Sequence, residues 1–348
     1  MSTLKVTNIQ NSSTSSGGVS IDTSGHVTVD GVVMPSSGPL SNRNLIINGA
    51  MQVAQRGTSS ATNTGYGTVD RFKSQTDSGA ITQSQQSLTT GDPYDEGFRY
   101  YFRITNTTAA TDAAAQTREI QQPIEAQNVA LSGWNYASSS EYVTLSFWAR
   151  SSVSGTYYVL LRSRDGTSQG YTFSFTLVAN TWKKVTHSAP GNSNITVNAD
   201  IGTGLQVRFL VDLGTDTTDN STTLNTWSQF DDTKRSPDFT HDWAGTTNAT
   251  FDLTGVQLEP GSVTTPFEHR SYGDELARCQ RYYESIAAEY SIATQANIVN
   301  FWHSFKVTKR VAPTVTGNIT FGGINVYGFS APTVASAATI VDNASAEL

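Results

Sequence analysis

Several runs of the chain alternate apolar with polar residues at a period of two, and this pattern constrains the fold more than any other feature. It appears at residues 97–105, 142–150 and 171–178. In the first of these runs the residues that share one side are Phe98, Tyr100, Phe102 and Ile104. Because successive side chains of a β-strand point to opposite faces, such runs are typical of antiparallel strands with one buried face.

Further strands are predicted at residues 157–163, 182–187, 205–212 and 250–258, which brings the total to at least seven. An Asp165-Gly166 turn signal predicts a hairpin between the strand at 157–163 and the next one. Seven strands suffice for two packed sheets, and the long distances between some of them fit jelly-roll crossovers better than a meander. We therefore expect a mostly β protein whose body is an antiparallel jelly-roll β-sandwich.

Residues 251–284 contain the end of this body. The parity of the apolar residues slips near Gly255, between Leu253 and Val256, as it does at a β-bulge. Pro260-Gly261 then interrupts the strand, because proline donates no backbone hydrogen bond and glycine tolerates positive φ. A β-rich body therefore ends here.

Composition divides the chain into three predicted units. Residues 1–40 contain two short alternating runs around a turn, which predicts a small hairpin that is stable only against copies of itself or another protein; a flexible tail is the alternative. Residues 41–272 form the sandwich. Residues 273–348 begin with a short helix, for which Asp274 is the predicted cap, and continue into a small β tip. In this tip, strands are predicted at residues 299–307, 319–321 and 325–327.

Charge and cysteine content exclude several classes of protein. A formal charge of -7 and the absence of any basic run argue against nucleic acid as a partner. The single Cys279 excludes an intramolecular disulfide framework, and its helical spacing favours a core residue over a nucleophile. The amino terminus has no secretory signal pattern and no apolar run reaches membrane-spanning length, so we expect no membrane insertion.

Two separated motifs carry a family resemblance. The first is NLIINGAMQVAQRGTS at residues 44–59 with DRF at 70–72; the second is DLTGVQLEPGSVTTPFEHR at 252–270 followed by ELARCQRYYE at 275–284. In this order they resemble the two ends of a jelly-roll domain of bacteriophage tail-fibre and receptor-binding proteins, and residues 181–185 resemble a turn and strand of jelly-roll carbohydrate-binding modules. The motif positions are Asn48, Gly49, Arg56, Gly57, Asp70, Arg71, Phe72, Gln257, Leu258, Glu259, Pro260, Gly261, Arg278, Cys279, Arg281 and Tyr282.

The resemblance implies a viral tail-fibre protein of the virion, made in the cytoplasm of the infected host, that attaches to a host receptor. Fibres of this kind are usually homotrimers, and a trimer also fits the small apolar faces of the two terminal units. We expect residues 1–40 to bind another tail or capsid protein, and the body to bind a host polysaccharide or lipopolysaccharide without catalysis. The alternatives are a purely structural fibre or adaptor on the capsid, collar or tail, and a depolymerase that degrades polysaccharide.

Acidic residues crowd the region between residues 212 and 252, where two of them could supply the acids of glycoside hydrolysis. A solvated acidic loop explains them better, because no rigid frame is predicted there. Asp212, Asp216 and Asp219 are spaced so that they could bind calcium, but they lack the glycine and terminal glutamate of a calcium loop. The histidines are scattered: His26, His187, His241, His269 and His303. We therefore expect no cofactor, no resident metal and no enzymatic activity.

Aromatic residues in polar, turn-rich segments are the candidate glycan contacts, because flat exposed rings stack on sugar faces. These candidates are Tyr66, Trp134, Tyr136, Trp227 and Trp243. The alternative is that each ring covers a sheet edge or fills a contact between subunits. Trp148 and Trp182 fall in predicted strands and are assigned to the core or the sheet surface.

Overall fold

The computed structural model describes residues 7–10, 17–36, 38–285, 291–295, 298–301, 304–312, 314, 319–321 and 324–326. Three short helices lie in these residues: α1 Asp92–Asp95, α2 Ala126–Ala130 and α3 Tyr272–Gln280. The strands are β1 Asn8–Ile9, β2 Val19–Ile21, β3 Val27–Val29, β4 Val32–Val33, β5 Ser59–Ser60, β6 Lys73–Asp77, β7 Ala80–Ser87, β8 Tyr100–Thr108, β9 Thr117–Glu125, β10 Tyr142–Ser151, β11 Gly155–Ser163, β12 Gln169–Leu177, β13 Lys183–Pro190, β14 Thr203–Leu213, β15 Trp227–Gln229, β16 Thr250–Pro260, β17 Ser291–Gln295, β18 Ile298–Phe301, β19 Ile319–Phe321 and β20 Ile324–Val326.

Two antiparallel six-stranded sheets form the body. Sheet I has the strand order β13-β10-β16-β8-β7-β5, and sheet II has the order β15-β12-β11-β14-β9-β6. From β8 to β10 the chain changes sheet at every connection, and it changes sheet again between β12 and β14. Such crossovers are those of a jelly roll. The expected antiparallel jelly-roll β-sandwich is therefore confirmed.

The core lies between the two sheets and follows from the alternation. In sheet I, Phe102, Phe147 and Leu253 point inward from β8, β10 and β16. Phe173 of β12 and Phe209 of β14 face them from sheet II, and the rings of Phe147 and Phe209 lie 5.0 Å apart, edge to face. The residues of the other parity lie on the outer faces. On sheet II they include charged side chains, such as Arg208, and a second apolar cluster that contains Tyr158, Leu160 and Leu210.

The predicted bulge at Gly255 is confirmed. Along the pairing of β10 with β16 the register shifts between Ser146 and Trp148, so that Phe147 faces two residues, Gly255 and Val256. Gly255 has φ 61°, the left-handed conformation that a bulge of this kind requires and that glycine adopts without strain. The predicted hairpin of β11 and β12 around Gly166 is also present.

The amino-terminal unit is a small four-stranded sheet, β1-β2-β3-β4. Its central hairpin pairs β2 with β3 as predicted. Hydrogen bonds join the unit to the body, because Ser262 N donates to Ser36 Oγ (2.9 Å) and His26 Nε2 lies 3.2 Å from Ser262 Oγ. Its apolar side chains remain exposed, as at Ile9 and Val32.

Helix α3 packs against the body. Its cap is Ser271, whose hydroxyl accepts a hydrogen bond from Asp274 N (3.2 Å) and donates to Asp274 Oδ2 (2.6 Å). The prediction that Asp274 is the cap is therefore wrong: Asp274 is the third helical residue, and its carboxylate accepts a hydrogen bond from the hydroxyl of the cap. Cys279, near the end of the helix, is buried and packs in one cluster with Ile47 and Val53 of the body.

The carboxy-terminal strands pair as two hairpins, β17 with β18 and β19 with β20. The strand predicted at residues 299–307 is shorter than expected, since β18 ends at Phe301. The strand predicted at 319–321 is confirmed as β19, and β20 includes residues 325 and 326 of the strand predicted at 325–327. Tyr327 and residues 328–348 lie outside the described residues. No helix that the structure describes is long and apolar enough to cross a membrane. The unit boundaries at residues 40 and 272 stay predictions.

Candidate functional site

The residues of the two motifs meet in space and build a buried joint between the ends of the body. Asn48, at φ 63°, donates from its side chain to the carbonyl oxygens of Val53 (2.8 Å) and Asp70 (2.9 Å). Its backbone N–H donates to Glu275 of helix α3 (2.6 Å). The neighbouring Gly49 lies so close to the Val256 carbonyl that a Cβ would collide with it. Asn48 and Gly49 therefore hold the first motif against both β16 and the helix.

Two buried carboxylates, those of Glu259 and Glu125, lie in this joint. Glu259 accepts from Arg43 (2.6 Å) and from the Thr265 hydroxyl (2.6 Å) and is completely buried. Glu125 accepts from Arg281 (2.8 Å) and Tyr282 (2.5 Å). Burial acts to raise the pKa of Glu125, but the hydrogen bonds from Arg281 and Tyr282 outweigh it and hold that pKa below its usual value. Each carboxylate is thus matched by a partner, which is what a structural role requires.

The other motif residues complete the same joint. The Arg71 guanidinium lies 3.5 Å from the centre of the Tyr282 ring and donates to Pro123 O (2.6 Å). Arg56 lies 3.6 Å from the Tyr283 ring, and Arg278 donates to Asn42 Oδ1 (2.8 Å). Phe72, Gln257, Leu258 and Cys279 are buried. This arrangement assigns the motifs to the assembly of the body rather than to ligand binding.

Three of the five candidate aromatic residues are not exposed rings, which corrects the prediction made for them. Trp134 is 4% exposed, Trp227 7% and Trp243 0%, and all three belong to the core between the sheets. The indole N–H of Trp243 donates to Thr250 O (3.1 Å), and that of Trp227 donates to Pro190 O (2.6 Å). The three rings are therefore part of the core and do not face solvent, and Trp227 is the first residue of strand β15.

Tyr66 and Tyr136 are half-buried. The Tyr136 hydroxyl donates to Val197 O (3.4 Å), and the ring packs against the core. Tyr66 lies beside two cations, with its ring centre 5.5 Å from the Arg56 guanidinium and 5.9 Å from the Lys73 ammonium. Lys73 also lines the charged groove described below, whereas none of the five candidate rings is among the residues that line it.

The three candidate calcium ligands have separate partners. Asp212 is buried, accepts from Gln116 and from Ala244 N (2.8 Å), and burial raises its pKa to about 6. Asp219 pairs with Lys234 (3.0 Å), and Asp216 is exposed. Among the described residues, no three His, Cys, Asp or Glu side chains converge as a metal site. Asp212, Asp216 and Asp219 therefore do not converge as a set of calcium ligands in the part of the chain that the structure describes.

The described histidines pack against rings or lie at the surface, as expected. His187 stacks on Phe173 at 4.0 Å, and burial lowers its pKa. His241 lies 4.4 Å from the Tyr157 ring, and burial lowers its pKa to about 4. His269 contacts Phe267, and His303 lies outside the described residues.

A groove of about 290 Å³ lies on the outer face of sheet II. Because β6, β9, β14 and β11 are neighbours, their outward side chains form rows across the sheet: Lys73 is opposite Gln121, which is opposite Arg208. In the adjacent row Gln206 of β14 is opposite Arg162 of β11. One end of the groove is closed by the segment that follows β15, which contributes Asp232 and Arg235.

Amide side chains connect the strands along the floor of this groove. Gln206 donates to the side chain of Gln121, which in turn donates to Glu119 (2.7 Å) and to Gln75 (3.2 Å). Glu119 is completely buried and receives three hydrogen bonds from Arg208, two from Nη2 at 2.8 Å and one from Nε at 3.0 Å. The floor is therefore a fixed row of hydrogen-bonding groups, since each amide is oriented by its neighbours.

The groove is positively charged although the chain as a whole is acidic. Five cationic side chains line it. Among the described residues of the lining, Asp232 is the single carboxylate. Burial and the charges of Arg164 and Arg208 lower the pKa of Arg162 to about 10, so Arg162 remains protonated at neutral pH. Burial acts to raise the pKa of Asp232, but Arg235 and the other arginines outweigh it and hold that pKa below its usual value.

Sequence reasoning missed this groove because its charges come from four separate segments and form no basic run. The cationic residues are Lys73, Arg162, Arg164, Arg208 and Arg235. A signal was present: Arg162 and Arg208 lie at the polar parity of two predicted strands. What the sequence did not reveal is that β11 and β14 are neighbours, which brings the two arginines to one face.

A scan against protein-family models and a search of the curated proteins found no match. Solved structures similar to this chain include a CBM4 carbohydrate-binding module, with 14% identity, 62% of this chain and 99% of that chain covered, and a TM-score of 0.30. Another is the N-terminal cellulose-binding domain of Cellulomonas fimi β-1,4-glucanase C, with 12% identity, coverage of 61% and 99%, and a TM-score of 0.30.

The tripod from the baseplate of bacteriophage Tuc2009 is also similar, with 12% identity, coverage of 68% of this chain and 61% of that chain, and a TM-score of 0.28. All three TM-scores are below 0.5. These likenesses carry no argument about function, which rests on the groove and the motifs.

Proposed function

We propose that this chain is a non-enzymatic fibre or spike protein of a bacteriophage virion, and that it binds a host surface glycan in the groove of sheet II. The observation that carries the binding role is the fixed row of Gln75, Gln121 and Gln206 across a concave surface. Amide groups that both donate and accept suit the hydroxyl groups of sugars. The rigid strands beneath them keep these groups in place without a ligand.

The virion role is supported by the resemblance of the two motifs to phage fibre proteins and by the joint that they build together. In this proposal the protein is a homotrimer, its amino-terminal sheet binds another tail or capsid protein, and the groove faces the host polysaccharide or lipopolysaccharide. Exposed apolar side chains in the amino-terminal sheet, such as Ile9 and Val32, support an attachment there.

Glycan binding is tested with a variant that fills the groove without changing its charge. Thr203 lines the groove and is half-buried, so Thr203→Trp places a bulky ring where the sugar would lie. We expect the wild-type protein to bind one or more bacterial polysaccharides on a glycan array and the variant to lose that signal. Retention of the full signal by a folded Thr203→Trp variant would place binding elsewhere.

The trimer is tested separately by measuring the mass of the purified full-length protein by light scattering. We expect three times the chain mass of 37.5 kDa. A stable monomer at micromolar concentration would contradict the trimer but would leave glycan binding open.

A further inference from the structure

The charges of the groove go beyond what a neutral sugar needs. Arg208 is paired with Glu119, and Arg235 with Asp232 (3.0 Å). Arg162 and Arg164 form no ion pair with any described residue. Each cation without a counter-charge at a concave, partly dehydrated surface favours binding of an anion there.

Arg162 is held in place for such a contact. Its Nε donates to Ser168 Oγ (3.0 Å), and its guanidinium lies 3.5 Å from the centre of the Phe230 ring. These contacts fix the plane of the guanidinium and leave its terminal nitrogens without a hydrogen-bond partner among the described residues. A planar guanidinium fixed in this way matches the two oxygens of a carboxylate or phosphate.

Arg235 provides an independent observation. Its side chain is only 7% exposed, and while Nε donates to Asp232, Nη1 is buried with no hydrogen-bond partner in the part of the chain that the structure describes. An unsatisfied buried donor costs about 1–3 kcal/mol, and a bound oxyanion would remove this cost. Arg235 lines the same groove as Arg162.

We propose that the groove of sheet II recognises an acidic glycan and that Arg162, Arg164 and Arg235 seat its oxyanion groups. The inference rests on the proposed glycan binding and names the class of glycan: a polymer with carboxylate or phosphate groups. The amide row of Gln75, Gln121 and Gln206 contacts the hydroxyl groups of the same ligand. Screening by salt weakens binding of this kind, because part of the affinity is electrostatic.

The full-length protein is titrated with three probes: an oligogalacturonate, the same oligomer with its carboxyl groups methyl-esterified, and a glycerol-phosphate oligomer. We expect binding of at least one charged probe and a loss of about tenfold or more for the ester, which is about 1.4 kcal/mol. The carboxylate and phosphate probes distinguish the two sources of the anion.

Variants locate the anion in the groove. Arg164 is exposed and has no ion pair in the described residues, so Arg164→Gln carries little risk to folding; Arg162→Gln removes the stacked guanidinium. We expect about threefold weaker binding of the charged probe for Arg164→Gln, the usual strength of an exposed ion pair. For Arg162→Gln we expect about tenfold, the lower end for a hydrogen bond to a charged group. Lys184→Gln on sheet I removes one exposed positive charge from the opposite face and is expected to change the affinity less than twofold.

The outcomes separate this inference from the proposed function. The inference is overturned, and glycan binding stands, if the ester binds as tightly as the charged oligomer. The same holds if neither charged probe binds at millimolar concentration while neutral glycans bind on the array. If no glycan of any charge binds, both fail. Charged-probe binding that Arg162→Gln leaves unchanged but Lys184→Gln abolishes also overturns the inference, because the anion then lies on sheet I.

Discussion

On the outer face of sheet I, Asp252 pairs with two arginines. On the outer face of sheet II, Arg208 pairs with Glu119, whereas Arg162 and Arg164 form no ion pair in the described residues. Arg103 reaches Asp252 at 2.6 Å and Arg150 reaches it at 2.8 Å, so the carboxylate lies between them. The Arg150 guanidinium also lies 4.6 Å from the Trp182 ring, which packs edge to face on Tyr101. On sheet I, both arginines are thus paired with one carboxylate, and Arg150 is also covered by an aromatic ring.

The two faces differ in how their cations reach water. The side chains of Arg103 and Arg150 are 26% and 25% exposed, but that of Arg208 is only 5% exposed. Arg208 lies in a groove where the Phe230 ring stacks on Arg162, at 3.5 Å, but no aromatic ring stacks on Arg208 in the described residues. The comparison indicates that a polar sheet face contributes to packing where its arginines are paired with carboxylates, and becomes a candidate binding surface where some of them form no ion pair.

The largest effect is expected from Glu119→Gln. This change leaves Arg208 buried beside a neutral amide, and an uncompensated buried charge costs about 3–5 kcal/mol of the free energy of unfolding. Urea denaturation measures the loss. Glu96→Gln is the matched control, because the pair of Glu96 with Lys184 is exposed and contributes about 0–1 kcal/mol.

A loss below about 1 kcal/mol in Glu119→Gln, comparable to the control, would contradict the proposed difference between the two sheet faces. It would mean that the Arg208 guanidinium reaches water when its partner is removed. Arg208 would then resemble the arginines of sheet I.

The sandwich could be predicted from the sequence because its central strands alternate cleanly, as in β10 and β12. Strand β9 could not, since its inward positions include Arg118 and Gln122 and its outward positions include Pro123. Gln122 is satisfied by the backbone of Ile47, from which it accepts a hydrogen bond (2.8 Å) and to which it donates another (2.9 Å). Such contacts between distant segments leave no local pattern.

Pro123 illustrates the same limit. A proline argues against a central strand, because it donates no hydrogen bond to the ladder. The neighbouring strand β6 pairs with β9 only as far as Gln121, so at Pro123 one side of β9 has no strand beside it. The strand is central in the order of the sheet but is an edge at this residue.

The candidate site was harder to predict than the fold for a related reason. Tryptophans in turn-rich segments are predicted to be exposed and to bind sugar, but Trp243 lies in the core between the sheets. The groove, by contrast, depends on which strands are neighbours. Arg162 and Arg208 are 46 residues apart by their numbers, and only the pairing of β11 with β14 places them on one face.

A smaller effect is expected from Asp252→Asn on sheet I. Arg103 and Arg150 lose a charged partner, but each is about a quarter exposed and can regain contact with water. We therefore expect a loss of about 1–2 kcal/mol in the free energy of unfolding, well below that of Glu119→Gln. Urea denaturation of the two variants under the same conditions provides the measurement.

A double-mutant cycle separates the two explanations for this smaller loss. If Arg103 is freed into water when Asp252 is neutralised, Arg103→Gln in the Asp252→Asn background costs little further stability, and the coupling between the two positions is about 1–2 kcal/mol. If Arg103 instead remains buried and unpaired, its removal restores stability to the single variant. That second result would show that the arginines of the two sheets are equally buried, and so would a loss in Asp252→Asn equal to that in Glu119→Gln. The positive charge of the groove would then follow from the number of its arginines rather than from their burial.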